Sequence, residues 1–567
     1  MRAKHLLLLT LLAGATALTA WAATDPAPQA KVSADPSPDY PKMTMPPPEV
    51  KAPVKKESKS TADHGKFKEL QADFKSGPEV TAACLKCHTE AAKQVQHTKH
   101  WTFEFKNPQT GQMLGKKHIV NNFCTATSSN QDFCMACHVG YGWKDNSFDM
   151  TKQDNVDCLV CHEKTGTYRK LPGWAGHPVY QDVEFPPHSG KIVKAVNLKD
   201  AAQSVGKTGR NNCGACHFFG GGGDAVKHGD IDTSLSNPGK YLDVHMDKDG
   251  LNFSCGECHK TSGHEVPGSR YAVTAKDEGG KSHMRGKDDK NPATCQACHT
   301  NAPHKHDARL NTHAEKIACQ TCHIPEFARG GKATKMMWDW STAGKLDKDG
   351  KPFTIKAPNG QVAYDSKKGD FKYETNVIPT YVWFNGTVNY TLRDTKLDPS
   401  KLVKINSFEG GADDGKSKIW PIKVFSGKQP YDKATNQLLI PHTFGGEGDD
   451  TAFWKVFDWN KALEAGMKSV NENFSGEFGF VSTEMYWPIT HMVAPKGDAL
   501  KCAQCHQPSI GVGRLDNVPG IYMPGRSGNK LLDMIGWPVA LLTLLGVLGH
   551  GAGRIYAAKK QGAKHHE

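Results

Sequence analysis

The pentapeptide Cys-x-x-Cys-His occurs eight times in this chain. The copies are Cys84, Cys87 and His88; Cys134, Cys137 and His138; Cys158, Cys161 and His162; Cys213, Cys216 and His217; Cys255, Cys258 and His259; Cys295, Cys298 and His299; Cys319, Cys322 and His323; and Cys502, Cys505 and His506. In this motif two thiols add across the vinyl groups of a porphyrin, and the adjoining histidine is held under the iron. One copy leaves a redox dithiol or half a zinc site open. Eight copies with the histidine always in the same place point to c-type haem, since a zinc protein has no reason to repeat that histidine. The fold must therefore be organised around eight large flat cofactors. Sixteen of the 17 cysteines are used in this way, and only Cys124 has no role assigned by spacing.

That allocation governs how the rest of the composition reads. Seventeen cysteines in an exported chain would otherwise suggest a disulfide scaffold, but the pairing within the motifs leaves at most one thiol over. The formal charge of +12 is no nucleic-acid footprint. Each ferric haem carries roughly −1 net, so eight bring the holoprotein to about +4. Hydrophobic residues make up 38% of the chain, which suits a polypeptide that packs around apolar discs rather than around itself. No phosphate loop, dinucleotide fingerprint or hydrolase elbow is present, and the Asp-Lys-Asp-Gly stretches at 247–250 and 347–350 lack the full spacing of a calcium loop.

Along the chain, residues 1–23 have the basic start, Leu/Ala-rich run and small-x-small end of a secretory signal peptide. Residues 24–62 are a Pro-rich linker expected to be disordered. Residues 63–325 crowd seven motifs together, with a 24-residue spacing both from Cys134 to Cys158 and from Cys295 to Cys319. Residues 326–510 hold the eighth motif after a long motif-free stretch rich in Trp and Tyr. That stretch is either a separate substrate domain or, as the preferred expectation, a wrapping that supplies walls and distal ligands. A linker at 511–530 leads to an apolar segment at 531–556 and a basic tail at 557–567. No Asp, Glu, Lys or Arg falls within 534–553, and Arg554, Lys559, Lys560 and Lys564 follow. A transmembrane helix with its tail in the cytoplasm and the haems on the periplasmic face fits this pattern; the other reading lays the segment against a partner. His550 within it is either a cofactor or quinone contact or an interfacial residue. The expected fold is mainly α with extensive loops, a multihaem cytochrome c fold with few β-strands and one C-terminal membrane helix.

Histidines outside the motifs are candidate second axial ligands. His491, His313 and His264 stand near motifs in sequence, and His97, His100, His118, His228, His245, His304 and His306 are further candidates. Haems with two histidine ligands conduct electrons but have no free coordination position, so catalysis requires one exception. Lys227 and His228 are adjacent candidates for it, and spacing does not choose between them: either Lys227 is a labile iron ligand, or it is a surface lysine and His228 ligates another haem. A lysine binds iron only as the neutral amine, which makes it a weak cap. Gly220, Gly221, Gly222 and Gly223 give the preceding backbone freedom for close approach. Cys124 is an active-site thiol or an inert buried one.

NNFC at 121–124, FCMACHVGYG at 133–142 and NCGACHFFGGGGDAVKHGD at 212–230, together with the eight motifs, resemble the octahaem tetrathionate reductases. That family's haem layout is similar to those of octahaem hydroxylamine oxidoreductases and pentahaem nitrite reductases. The resemblance covers roughly residues 80–510. It implies an active site at the second haem, with His138 as proximal ligand, Lys227 on the distal side, Cys124 nearby and an aspartate, assigned here to Asp307. It also implies a periplasmic reductase of tetrathionate or a similar small inorganic oxo-anion. The alternatives are nitrite or hydroxylamine reduction, or an electron conduit from the quinol pool to a periplasmic partner. The apolar C-terminal segment departs from the family's soluble pattern and implies a partner in the membrane, such as a cytochrome b or quinol oxidoreductase subunit.

Overall fold

The computed structural model describes residues 62–123, 126–187, 189–271, 293–507, 511–523 and 530–564. The expected signal peptide, nearly all of the Pro-rich linker, and Cys124 lie outside the described residues.

Each Cys-x-x-Cys-His motif sits on or beside a helix of one to two turns. Gly77–Cys84 ends in the first motif, Leu159–His162 and Arg210–His217 carry the third and fourth, and Cys319–His323 coincides with the seventh. The spacing explains this. Positions i, i+3 and i+4 share one face at 3.6 residues per turn, so a single turn points both thiols and the imidazole to the same side. Gln131–Cys134 holds the second motif differently, running into a 3-10 turn at Met135–Cys137 that leaves His138 in extended backbone. Strands in the haem-dense region are only two residues long, at Phe105–Lys106, Met113–Leu114, Val183–Glu184 and Ile192–Val193.

The expectation of few strands holds loosely, and the wrapping region carries most of those present. Strand accounts for 17% of the structure against 29% helix, and most of it forms one nine-stranded sheet. In order across the sheet run Val403–Lys404, Phe478–Pro488, Lys418–Asp432, Thr334–Asp339, Gly369–Glu374, Val362–Asp365 and Thr354–Lys356, with Gln437–Leu438 and Thr380–Phe384 also paired to Lys418–Asp432. Phe478–Pro488 shows why a strand forms there: Val481, Thr483, Met485 and Trp487 are buried at every second position while their neighbours are more open. It lies antiparallel to the 15-residue strand Lys418–Asp432, in a register that sets Lys423 opposite Trp487.

One apolar cluster joins the sheet to the haem-dense region, bringing Ile119, Val120, Phe123 and Val226 against Trp338, Trp340, Phe425, Met485 and Trp487. The sheet thereby reaches the segments just before the second motif and just after the fourth. Lys530–Lys564 is a single helix containing Pro538. Its stretch Leu531–Gln561 contains an 18-residue window of mean hydropathy 2.0, none of it buried, making it long and apolar enough to cross a membrane. At 1.5 Å per residue it exceeds the ~30 Å of bilayer hydrocarbon.

Candidate active site

Seven of the eight motif histidines face a second histidine ring: His88 with His64, His162 with His264, His217 with His100, His259 with His491, His299 with His245, His323 with His304, and His506 with His313. Ring centroids are 5.9 to 6.4 Å apart. Two metal–nitrogen bonds of ~2 Å plus ~1.2 Å from each nitrogen to its ring centre give about 6.4 Å, so an iron with two axial imidazoles fits between each pair. Where their Nδ1 atoms are engaged, the rings turn Nε2 toward that gap. His162 Nδ1 meets the Gly206 carbonyl at 3.0 Å and His259 Nδ1 the Pro267 carbonyl at 2.9 Å, while His264 Nδ1 meets Gln94 Oε1 at 2.8 Å and His491 Nδ1 meets Asp230 Oδ2 at 3.2 Å. Such partners fix ring orientation and tautomer.

His138 is the exception. Its fully buried ring is enclosed by Trp143, Phe103, Trp101 and Phe148 at 4.8, 5.0, 5.1 and 5.9 Å, and among the described residues no second histidine ring contacts it. Burial drives its pKa down to about 3 against the opposing bond to the Trp101 carbonyl, so the imidazole is neutral, the form that binds metals. Its Nε2 lies 2.8 Å from that carbonyl, while Nδ1 has no partner among the described residues. Iron coordination through Nε2 would first require release of the Trp101 bond, which sets this site apart from His162 and His259.

Near the second and fourth motifs the sheet builds a cationic cluster on Trp487. Lys227 Nζ lies 4.9 Å over the indole, the Arg270 guanidinium 4.3 Å over it, and the His228 ring 5.1 Å from it. Phe123, the last described residue before Cys124, is 5.7 Å from Trp487 and stacks at 4.2 Å on Phe425. The Phe123 carbonyl accepts from Trp340 Nε1 at 3.0 Å, so the backbone entering Cys124 is held by the sheet. Lys423 is buried on the central strand and its Nζ donates to the carbonyls of Val226 (3.2 Å) and Lys227 (3.0 Å) and to Thr334 Oγ1 (2.6 Å). Burial pulls the Lys423 pKa well below the lysine range, with Asp230 opposing. Gly221, at φ +80°, brings its backbone against Phe123 and Val226; a Cβ there would sit 3.0 Å from both side chains. Burial, then Lys227 and Arg270, drives His228 well below its usual pKa and keeps it neutral. Lys227 also bears on Cys137, whose thiol is lowered to about 6 chiefly by its bond to Cys216, with Lys116, Lys170 and Lys227 adding to the effect.

Other sequence candidates fall elsewhere. Asp307 caps the helix Ala308–Lys316, accepting from the Arg309 and Leu310 amides at 3.0 and 3.4 Å, and its contacts stay within that turn. His97 Nδ1 meets the Lys93 carbonyl and His118 Nε2 meets Glu104, and among the described residues neither ring is paired with a motif histidine; His306 is exposed. Sequence reasoning missed His64, which precedes every motif, and also Asp230, Arg270, Lys423 and Trp487. Asp230 offered a signal, since it closes the 212–230 stretch. It is buried, and its Oδ2 accepts from the amides of Thr490 and His491 at 2.8 and 3.0 Å.

Contacts between cysteines of different motifs order the sites. Cysteines of different motifs lie close enough to interact in the pairs Cys84 and Cys158, Cys137 and Cys216, Cys213 and Cys255, and Cys295 and Cys319. Cys161 acts electrostatically on Cys213, Cys298 on Cys258, and Cys505 on Cys322. The motifs thus follow one another from His88 through His162, His217, His259, His299 and His323 to His506. That of His138 joins as a side branch at His217.

Comparison with known proteins agrees with this geometry. Residues 56–163 match the family model for cytochrome c554 and c-prime, and residues 335–509 match that for bacterial cytochrome c. A protein of Archaeoglobus fulgidus described as uncharacterized is 27% identical over 243 residues, spanning 36% of this chain and 80% of its own length. The crystal structure of octaheme cytochrome c from Shewanella oneidensis is 41% identical with a TM-score of 0.71, covering 83% of this chain and 99% of that one.

Proposed function

Because the chain belongs to the octahaem c-type cytochromes, with eight covalently bound haems c, we propose that it is a reductase of a small inorganic oxo-anion, with tetrathionate the first candidate. The reaction is assigned to the haem held by Cys134 and Cys137. One observation carries this reading: among the described residues, seven motif histidines face a second histidine and His138 does not. A chain built only to conduct has no use for one unlike site. The haem supplies electrons and a coordination position; the protein supplies the rest.

Tetrathionate takes up two electrons as its central S–S bond breaks, giving two thiosulfates. Two negative charges become four, so fixed positive groups beside the breaking bond favour the products and the transition state leading to them. Arg270 on Trp487 is such a group, and so is Lys227 when its amine is protonated rather than bound to iron, with neutral His228 as a hydrogen-bond partner. Lys423 holds the backbone of residues 226 and 227 in place. Cys124, two residues after Asn122, is assigned the sulfur contact. Electrons would travel along the main series of motifs and turn off at His217 toward the branch.

Nitrite or hydroxylamine reduction uses the same site, and a pure conduit uses only the main series. The apolar helix supports attachment at the periplasmic face of the cytoplasmic membrane, next to a quinol-oxidising subunit. Steady-state assays of the purified holoprotein against tetrathionate, nitrite and hydroxylamine test the reading. Turnover of tetrathionate supports it, and turnover of none of the three leaves the conduit.

A further inference from the structure

Among the described residues Arg270 has no carboxylate partner. Its Nη1 is closed off from solvent without a hydrogen bond among the described residues, as is the indole Nε1 of Trp487 on which it stacks. Among the described residues its one side-chain bond runs from Nη2 to the Tyr271 hydroxyl at 3.0 Å. A guanidinium desolvated beside Lys227 and left without an acceptor is costly, since a buried unsatisfied charged donor loses its hydration and gains nothing in return. Neither flanking group can compensate: Lys227 has the same sign, and His228 is neutral. What fits the free edge is an acceptor with two or more oxygens and negative charge, matched to the planar fork that guanidinium offers and an ammonium does not.

We propose that Arg270 is the anion anchor of this site, binding an oxygen-bearing end of the substrate through its unpartnered edge, with the Trp487 face fixing the plane of the fork. This rests on the reductase reading and deepens it, because the anchor selects for charge and an oxo-anionic end group: a sulfonate end of a polythionate first, nitrite second, uncharged hydroxylamine not at all. A haem propionate offers similar oxygens, and the experiment separates the two sources.

The test compares Arg270→Gln and Arg270→Lys holoproteins with the wild type at pH 7.5. One arm measures KM and kcat for tetrathionate, nitrite and hydroxylamine. The other measures binding of thiosulfate to the oxidised protein by calorimetry, without turnover. In Arg270→Gln, loss of a charge-assisted bond is expected to raise the tetrathionate KM and weaken thiosulfate binding about 10- to 100-fold, with a markedly smaller loss for hydroxylamine, and to leave all eight haems attached. Arg270→Lys, which keeps the charge and loses the fork, should fall between, and it carries the test if the glutamine variant does not fold. Equal losses for all three substrates, or a shifted haem potential with anion affinities intact, would assign Arg270 to a propionate and overturn the proposal. Failure of the wild type to bind thiosulfate also overturns it. Wild-type binding without turnover would instead refute the reductase reading and leave the anion site standing.

Discussion

Lys227 and Lys423 show how two lysines of one chain take opposite parts. Lys227 rests on Trp487 near the odd haem site, whereas Lys423 is spent on three backbone and hydroxyl acceptors. If Lys227 caps the haem of Cys134 and Cys137, Lys227→His is expected to convert it to a bis-imidazole centre, abolishing turnover while the other seven spectra persist; Lys227→Ala should open the iron to added ligands. Optical and magnetic spectra of both variants check this, and unchanged spectra would place the reactive haem elsewhere. Cys124→Ser should depress tetrathionate reduction more than nitrite reduction, and equal losses would indicate a general role. Lys423→Met removes the three bonds to the Val226 and Lys227 carbonyls and the Thr334 hydroxyl and should cost about 3 kcal/mol in chemical denaturation, with a loss of activity if Lys227 is thereby released. The motif histidines were legible because their chemistry fixes their spacing. Arg270, Asp230 and Trp487 were not, because their roles come from meeting residues far away in sequence.

At the scale of elements, the segment before the second motif is tied to the loop after the central strand. Asn130 Oδ1 accepts from the Thr443 amide at 2.8 Å, and His442 bridges the Ser129 carbonyl at 2.6 Å and Asp449 Oδ2 at 2.7 Å. Burial raises the Asp449 pKa, but the bonds from His442 and Thr451 outweigh it and hold the carboxyl below its usual range. A depressed carboxylate pKa contributes stability above its unfolded value of about 3.9 and loses it as pH falls toward the folded value. Asp449→Asn should therefore lower Tm near neutrality and flatten its decline below about pH 4. Parallel acid limbs for variant and wild type would show that the pair contributes nothing. The helices bearing motifs followed from i, i+3, i+4 spacing. The sheet was harder to read, because Lys418–Asp432 is buried on both faces over its first half and shows no simple alternation there.

For the molecule as a whole, the motifs form a series with one branch, and a terminal helix is available for a membrane. A chain ending at residue 523 is expected to be soluble without detergent, to keep eight haems by intact mass, and to retain activity with an artificial donor while losing activity with quinol. Detergent-independent solubility of the full-length protein would contradict the membrane role. The haem count and the overall family were legible from motifs alone. The branch was not, since it depends on which thiols meet in space. The central claim is that one haem of eight differs in its axial ligands, and near-infrared magnetic circular dichroism of the oxidised holoprotein, calibrated per haem, measures that directly. The expected result is seven equivalents of bis-histidine haem and one of another ligand set; eight equivalents of bis-histidine haem would contradict it.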